Sequence, residues 1–344
     1  MTCNKFLMPG KTGDTPHSTK TGVCPRLAQL ALAAFALIGA LHAAAQEFPA
    51  KPVRFLVPFP PAGAVDTLAR ALTTPMTKSL GQSVIVENRP GGNTVIGAEL
   101  VVRAPADGHT VLLMAPSFTI NPFVRSKLSY DTWKDFTGVT LIASGALVIA
   151  THPSLPVRNV KELVALARAN PGKLTYSTAS IIGGQRLAGE LFKDVAKVDI
   201  VNIPYNGGAP ATMAAVGGHT SMLVTNIIEA AEQVKAGKLR GVAVTTIKRS
   251  EVLPQVPTVA ESGYPGFDAG NWFGAVVRTG TPKAAIDRLS ADIARGLEVS
   301  EVRDTLLKQG LTPAPMSPEQ FNTFLRTESE RTGRIVKALN LKME

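Results

Sequence analysis

Cysteine is almost absent from this 344-residue chain, and both of its cysteines, Cys3 and Cys24, fall within the first 45 residues. The remainder has none, which excludes thiol catalysis, thiolate metal sites and a disulfide framework there. Histidine is nearly as scarce: after residue 45 only His109, His152 and His219 occur, each in a different stretch. Scattered histidines of this kind read as surface or core residues and not as catalysts. Three motifs are also missing: the G-x-S-x-G nucleophile elbow, the H-E-x-x-H zinc helix and the phosphate-binding G-x-x-x-x-G-K-[ST] loop. Gly92 and Gly97 have the last motif's glycine spacing, but Ala98 stands where its lysine would be. Asp107, Asp131 and Asp135 read as turn and cap residues, so no metal or other cofactor is expected.

Long apolar runs are absent too, with one exception. Residues 27–41 are apolar apart from Gln29 and Gly39. A basic, polar stretch precedes them and Ala43-Ala44-Ala45 follows. Basic region, apolar core and small-residue site in that order form a secretory leader, cleaved near Ala45. The run falls short of the roughly 20 residues a membrane span needs, and nothing later is long enough.

The composition that remains is globular: 45% hydrophobic, 18% charged, with a net charge of +10. The length suits two domains better than one. In residues 1–45, Lys5, Lys11, Lys20 and Arg26 oppose only Asp14, so seven of those ten charges belong to the rest. They are dispersed among helices, with Lys248-Arg249 one of the few adjacent pairs. No basic stripe with interleaved aromatics exists, so nucleic acid is not a partner.

From Lys51 onward strands and helices alternate. Strands are expected at 53–57, 84–86, 111–114, 174–176, 200–203 and near 222–224. Asp66 is expected to cap a helix carrying Ala69, Leu72 and Met76. Further helices are expected from about Asn93, after an Asn159–Glu162 capping box, at Gly183-Gly184, and near Ala209. Thr281-Pro282 opens a helix with Ile286, Leu289, Ile293 and Leu297 on one face. Ser317 and Gln320 box the last helix, with Phe321, Phe324 and Leu325 inward. The pattern implies an α/β fold with a parallel sheet covered on both faces. The apolar segments 139–150 and 275–277 have the character of strands crossing between domains.

In open α/β sheets ligands sit beyond the carboxyl ends of the strands. The first strand ends in Pro58-Phe59-Pro60-Pro61-Ala62-Gly63-Ala64-Val65-Asp66. Prolines stiffen this loop, Gly63 lets backbone approach a ligand, and the next helix offers free N–H groups that hold a carboxylate without Arg or Lys. A plain strand–helix turn reads equally well there, and Asp66 reads equally well as an ordinary N-cap. Three more loops share the character. They are residues 115–119 with Ser117 and Thr119, residues 178–184 with Thr178, Ser180 and Gly183, and residues 204–210 with Tyr205, Gly207 and Ala209. Together they suggest a cleft lined by backbone donors.

Short motifs in order along the chain resemble a known family. They are Lys51-Pro52-Val53-Arg54, Val57-Pro58-Phe59-Pro60-Pro61, Val86-Glu87-Asn88-Arg89-Pro90-Gly91, Ala104-Pro105-Ala106-Asp107-Gly108 and Asn121-Pro122. Further along come residues 187–192, Pro204-Tyr205 with Gly207 and Ala209-Pro210, residues 236–240, residues 254–261 and Trp272-Phe273-Gly274. This set resembles the Bug family, the periplasmic solute receptors of tripartite tricarboxylate transport systems. The resemblance implies a two-domain periplasmic binding protein of type II-like architecture. Each domain would be a mostly parallel sheet with helices on both faces, joined by a two-strand hinge. It implies a discontinuous first domain, 48–146 plus 272–344, and a second of 147–271. It also implies a monomer that captures a small carboxylate and passes it to the transporter's membrane components. The implied contacts are Phe59, Gly63, Asp66, Tyr205, Gly207 and Ala209, often through water. Ala62 and Ala64 depart from the family pattern, replacing a Gly and a hydroxyl residue. Ile181 and Ile182 make the 179–185 loop greasier, and Arg186 stands where His is common. Thr225 stands where Asp is common, which argues against an amino-acid ligand and for a carboxylate with an apolar or aromatic body. A sensor role in a two-component system is the alternative. An enzyme on this scaffold lacks a poised nucleophile–base pair, and an adhesin would show repeats or an extended apolar face.

Overall fold

The computed structural model describes residues 48–341. The leader and its two cysteines lie outside the described residues. Two sheets organise the chain. The first has six strands in the order β11-β4-β10-β3-β1-β2. Its parallel part comprises β1 (Val53–Val57), β2 (Val84–Asn88) and β3 (Thr110–Met114). The crossover helices α1 (Ala64–Leu80) and α2 (Val95–Arg103) connect them. Val53 aligns with Val84 and Phe55 with Val111.

Both faces of this sheet's centre are covered, which is why β3 is buried throughout and β1 is apolar apart from exposed Arg54. The period-two alternation of a strand sorts the side chains. Val53, Phe55 and Val57 pack with Leu68, Leu72 and Met76 of α1. Leu56, Leu112 and Met114 pack on the opposite face with Ala98 and Val101 of α2.

After α3 (Ser117–Val124), β4 (Phe136–Gly145) runs through the first sheet and β5 (Leu147–Thr151) enters the second, with Ala146 alone between them. The apolar segment 139–150 therefore crosses between sheets. The second sheet has five strands in the order β7-β6-β8-β5-β9. Its elements are α4 (Val160–Ala169), β6 (Thr175–Thr178), α5 (Gly184–Ala196), β7 (Val201–Pro204), α6 (Gly208–Val216), β8 (Met222–Asn226), α7 (Ile227–Lys235) and β9 (Arg240–Val244). The chain then returns as β10 (Asn271–Arg278), antiparallel to both β3 and β4. Residues 275–277 lie wholly within the first sheet, so the return crossing comes before Asn271. The end of the chain adds α8 (Lys283–Glu298), α9 (Ser300–Lys308), the edge strand β11 (Leu311–Pro313) and α10 (Pro318–Ala338).

Both sheets are mixed. β1, β2 and β3 run parallel in one, and β6, β7 and β8 in the other, while β10 and β5 oppose them. β5 and β10 belong to the segments that pass between sheets, whereas the edge strand β11, antiparallel to β4, does not. No helix among the described residues is long and apolar enough to cross a membrane.

Several local expectations are corrected. Asp66 is not the N-cap of α1; Gly63 holds that place and Asp66 lies in the first turn. The helix expected from Asn93 starts at Val95, after a 3-10 turn over Gly92–Thr94 with Asn93 and Thr94 in left-handed conformations (φ 53° and 78°). Asn159 caps α4, but Glu162 reaches back to the Arg158 N–H, one residue before the cap. Ser317 and Gln320 form the full box on α10. Phe321 and Leu325 are buried, whereas Phe324 is half-exposed and stands edge-on to Trp272. The sequence reading found no element at β9, α7, α9 or β11.

One contact joins the two sheets by packing alone. Ile182, from the loop after β6, is fully buried against Ile120 and Val124 of α3 and Val336 of α10. Burying an isoleucine this way stabilises by about 1.5–3 kcal/mol.

Candidate functional site

The loop after β1 is built around Asp66, which is 2% exposed. Its Oδ2 accepts from the Ala62 N–H and from Arg70 Nε, each at 2.9 Å, and its Oδ1 accepts from Asn88 Nδ2 at 2.9 Å. Asn88 Nδ2 also donates to the Phe59 carbonyl (3.2 Å), while Asn88 Oδ1 accepts from Arg70 (3.1 Å). Burial pushes the Asp66 carboxyl up, but Arg70, the Ala62 N–H and Asn88 together hold it below the ordinary aspartate value. Asp66 thus shapes the loop through these three donors. The clamp draws Ala62 into a left-handed turn (φ 63°), a conformation that favours glycine. The chain departs from the family pattern at this residue. Gly63 and Ala64 follow as N-cap and first residue of α1, and Phe59 is half-buried against the core.

The loop after β3 leads into α3. Thr119 spends its hydroxyl on the Pro116 carbonyl (3.1 Å). The Ser117 hydroxyl, on a residue 4% exposed, has no protein hydrogen-bond partner. A buried hydroxyl left unpaired costs about 1–3 kcal/mol, so such groups are uncommon and informative.

The loops after β6 and β7 are stitched together. The Tyr205 N–H donates to the Thr178 carbonyl and the Gly207 N–H to the Ala179 carbonyl, both at 2.8 Å. Thr178 donates its hydroxyl to the Ser180 carbonyl (3.0 Å), and Ser180 donates to the Ile182 carbonyl (3.1 Å). The Ser180 hydroxyl rests on Gly183, where a Cβ would come within 2.9 Å of it. The hydroxyls of Thr178 and Ser180 thus hold their own loop. Ile182 is withdrawn into the contact between sheets, and Ile181 is the apolar residue of this loop left exposed. Ala209 is exposed, and Gly207 is the N-cap of α6 with φ 118°.

Two contacts carry these loops toward the first sheet. Gly184 lies against Pro116 and Asn271, and Asn271 Nδ2 donates to Asn226 Oδ1 at 2.8 Å. None of α1, α3, α5 and α6, the helices after the four candidate loops, has a side-chain N-cap. Among the described helices only α4 and α10, which start elsewhere, have one. Uncapped helix starts present free N–H groups and a positive dipole end, the usual seat of an anion; at α3, though, the Phe118 and Thr119 N–H groups already donate to the Ala115 and Pro116 carbonyls.

The sequence reading missed Glu229. Thr225, fully buried at the end of β8, donates its hydroxyl to Glu229 Oε2. The Glu229 carboxyl lies directly on Gly208, where a Cβ would overlap it. Burial pushes this carboxyl above the ordinary glutamate value, against the lowering contacts of Thr225 and Asn226. The carboxylate counted as lost at position 225 is thus present from one turn further on. A four-residue spacing from a strand-end threonine into a helix's first turn is the signal that could have found it. A recess of about 830 Å³ on another face, lined by Phe123, Trp133, Arg326 and Arg334 among others, includes none of the sequence candidates.

Residues 68–341 match the Tripartite tricarboxylate transporter family receptor. The chain belongs to this family. Protein BugT of Bordetella pertussis is 32% identical over 302 residues, covering 87% of this chain and 93% of that protein. Among solved structures, R. palustris Rpa4515 with adipate has a TM-score of 0.81 at 31% identity, covering 86% of this chain and 99% of that one. MatC from Rhodopseudomonas palustris with bound malate has a TM-score of 0.76 at 29% identity, covering 84% and 100%. This Bug-family receptor thus has the α/β architecture of the periplasmic binding proteins, and its solved relatives include two determined with small carboxylates.

Proposed function

We propose that this family member is exported to the periplasm after cleavage of its leader near Ala45. There it works as a monomer that captures a small carboxylate between its two sheets and delivers it to the membrane components of a tripartite tricarboxylate transporter. It performs no chemistry on the ligand. The observation that carries this reading is the pair of uncapped helix starts after β1 and β6. Backbone donors at the first loop, around Gly63 and Ala64, would hold the ligand carboxylate, with the unpartnered Ser117 hydroxyl beside α3. Adipate and malate in the two relatives support the ligand class.

The domains that close on the ligand would be 48–146 with 272–344, and 147–271. In support, β4 ends at Gly145, β5 begins at Leu147 and β10 begins at Asn271. Half-buried Phe59 and exposed Ile181 favour a ligand with an apolar body between its polar ends.

The test is thermal stability of the chain lacking residues 1–45 against tricarboxylates, short dicarboxylates, benzoates, nicotinate and amino acids. A ligand at 100 times its Kd stabilises by about 2.7 kcal/mol, a readable shift. One carboxylate class is expected to give it, without turnover. No shift with any carboxylate, or consumption of one, would overturn the reading.

A further inference from the structure

Glu229 is a part-buried carboxyl that the capture of a carboxylate does not use. Its neighbours include Thr225, Asn226 and Gly208. Among the described residues no lysine, arginine or histidine forms an ion pair with it, whereas Asp66 pairs with Arg70 and Asp292 with Arg288 and Arg295. Gly208 is the first residue of α6, and its missing side chain is what lets the carboxyl lie there. The end of the second sheet that would offer free N–H groups to an anion is therefore already faced by the chain's own acid.

We propose that Glu229 is the specificity-determining residue of this site: it selects against a second carboxylate, so that the ligand's far end, at the Tyr205–Gly208 turn, carries a hydrogen-bond donor such as an ammonium or a hydroxyl. This rests on the carboxylate reading above and deepens it. A like charge brought against a part-buried carboxylate is disfavoured, whereas a donor adds to the hydrogen bonds it already accepts from Thr225 and Asn226. Thr225 occupies one position on Oε2, and the carboxylate retains acceptor capacity for the ligand. The inference separates this chain from its adipate- and malate-bound relatives, whose ligands are dicarboxylates. It also reverses the sequence argument against amino groups, which rested on Thr225 alone.

The probes are adipate, 6-hydroxyhexanoate and 6-aminohexanoate, three six-carbon chains that share one carboxylate and differ at the far end. Affinities are measured by calorimetry for the chain lacking residues 1–45 and for its Glu229→Gln variant, whose melting temperature is checked first. The wild type is expected to bind the hydroxy or amino acid at least tenfold more tightly than adipate, and the variant to shrink that ratio tenfold or more. Wild-type preference for adipate overturns the proposal without any variant, and so does a ratio unchanged in Glu229→Gln; both leave the carboxylate reading standing. Binding of none of these, nor of any carboxylate in the wider panel, removes the carboxylate reading and this proposal together.

Discussion

Replacing Asp66 with asparagine keeps the shape of the side chain and removes its charge. The donors around it are fixed. An amide nitrogen placed at the Oδ2 position would face the Ala62 N–H and Arg70 Nε. Placed at the Oδ1 position it would face Asn88 Nδ2. Asn88 cannot turn over to accept, because its nitrogen already serves the Phe59 carbonyl and its oxygen serves Arg70. The least unfavourable arrangement loses one hydrogen bond outright and the charge assistance of two others. That loss amounts to about 2–3 kcal/mol, with the Arg70 part discounted because its side chain is 54% exposed. For a chain of this size the melting temperature should fall by roughly 5 °C. The pH dependence is a second check. The folded-state pKa of Asp66 is depressed, so its stabilisation is present above the unfolded value near 4 and is lost as pH falls through the folded value. Scanning calorimetry from pH 7 downward should show the gap between wild type and Asp66→Asn constant to about pH 5 and narrowing below about pH 4. A variant that melts within a degree of wild type at pH 7, or a gap unchanged on acidification, would refute the clamp.

Ser117→Ala should leave stability unchanged or raise it by about 1 kcal/mol, because it deletes a buried hydroxyl without a protein partner. The same variant should weaken carboxylate binding by roughly tenfold, about the worth of one hydrogen bond; a loss of stability with unaltered affinity would place the hydroxyl in the scaffold. Ala62→Gly relieves a left-handed alanine. About 1–2 kcal/mol of strain, less 0.4–1 kcal/mol of added freedom in the unfolded chain, leaves a gain of roughly 0.5–1 kcal/mol, readable as a higher urea midpoint.

Much of the fold was legible because hydrophobic periodicity reports burial. Strand 111–114 is an unbroken apolar run covered on both faces, strand 53–57 is apolar apart from Arg54, and α8 shows its single apolar stripe. β11 was not legible, since a three-residue edge strand ending in Pro313 has no pattern to show. The loops were found because glycine, proline and hydroxyl residues collect where strands meet helices. What each hydroxyl does could not be read, because Thr119, Thr178, Ser180 and Thr225 spend theirs on neighbours that only the folded backbone brings near. Asp66 was picked for its place at a helix start, and its actual partners come from Asn88 on β2 and from Ala62 behind it. Glu229 escaped notice because its four-residue spacing from Thr225 tells only that the two are neighbours, and not that the carboxyl lies on a glycine of another loop.

The buried Ile182 bears on kinetics as much as on stability. Its packing against α3 and α10 joins the two sheets through the chain's own side chains. A receptor latched in this way has a smaller fraction of its molecules open to receive solute, and association slows in proportion to that fraction. Departure is slowed by the same latch. Long residence would suit a carrier that must survive diffusion to the membrane with its cargo still aboard, and it would make prying Ile182 loose a step in unloading.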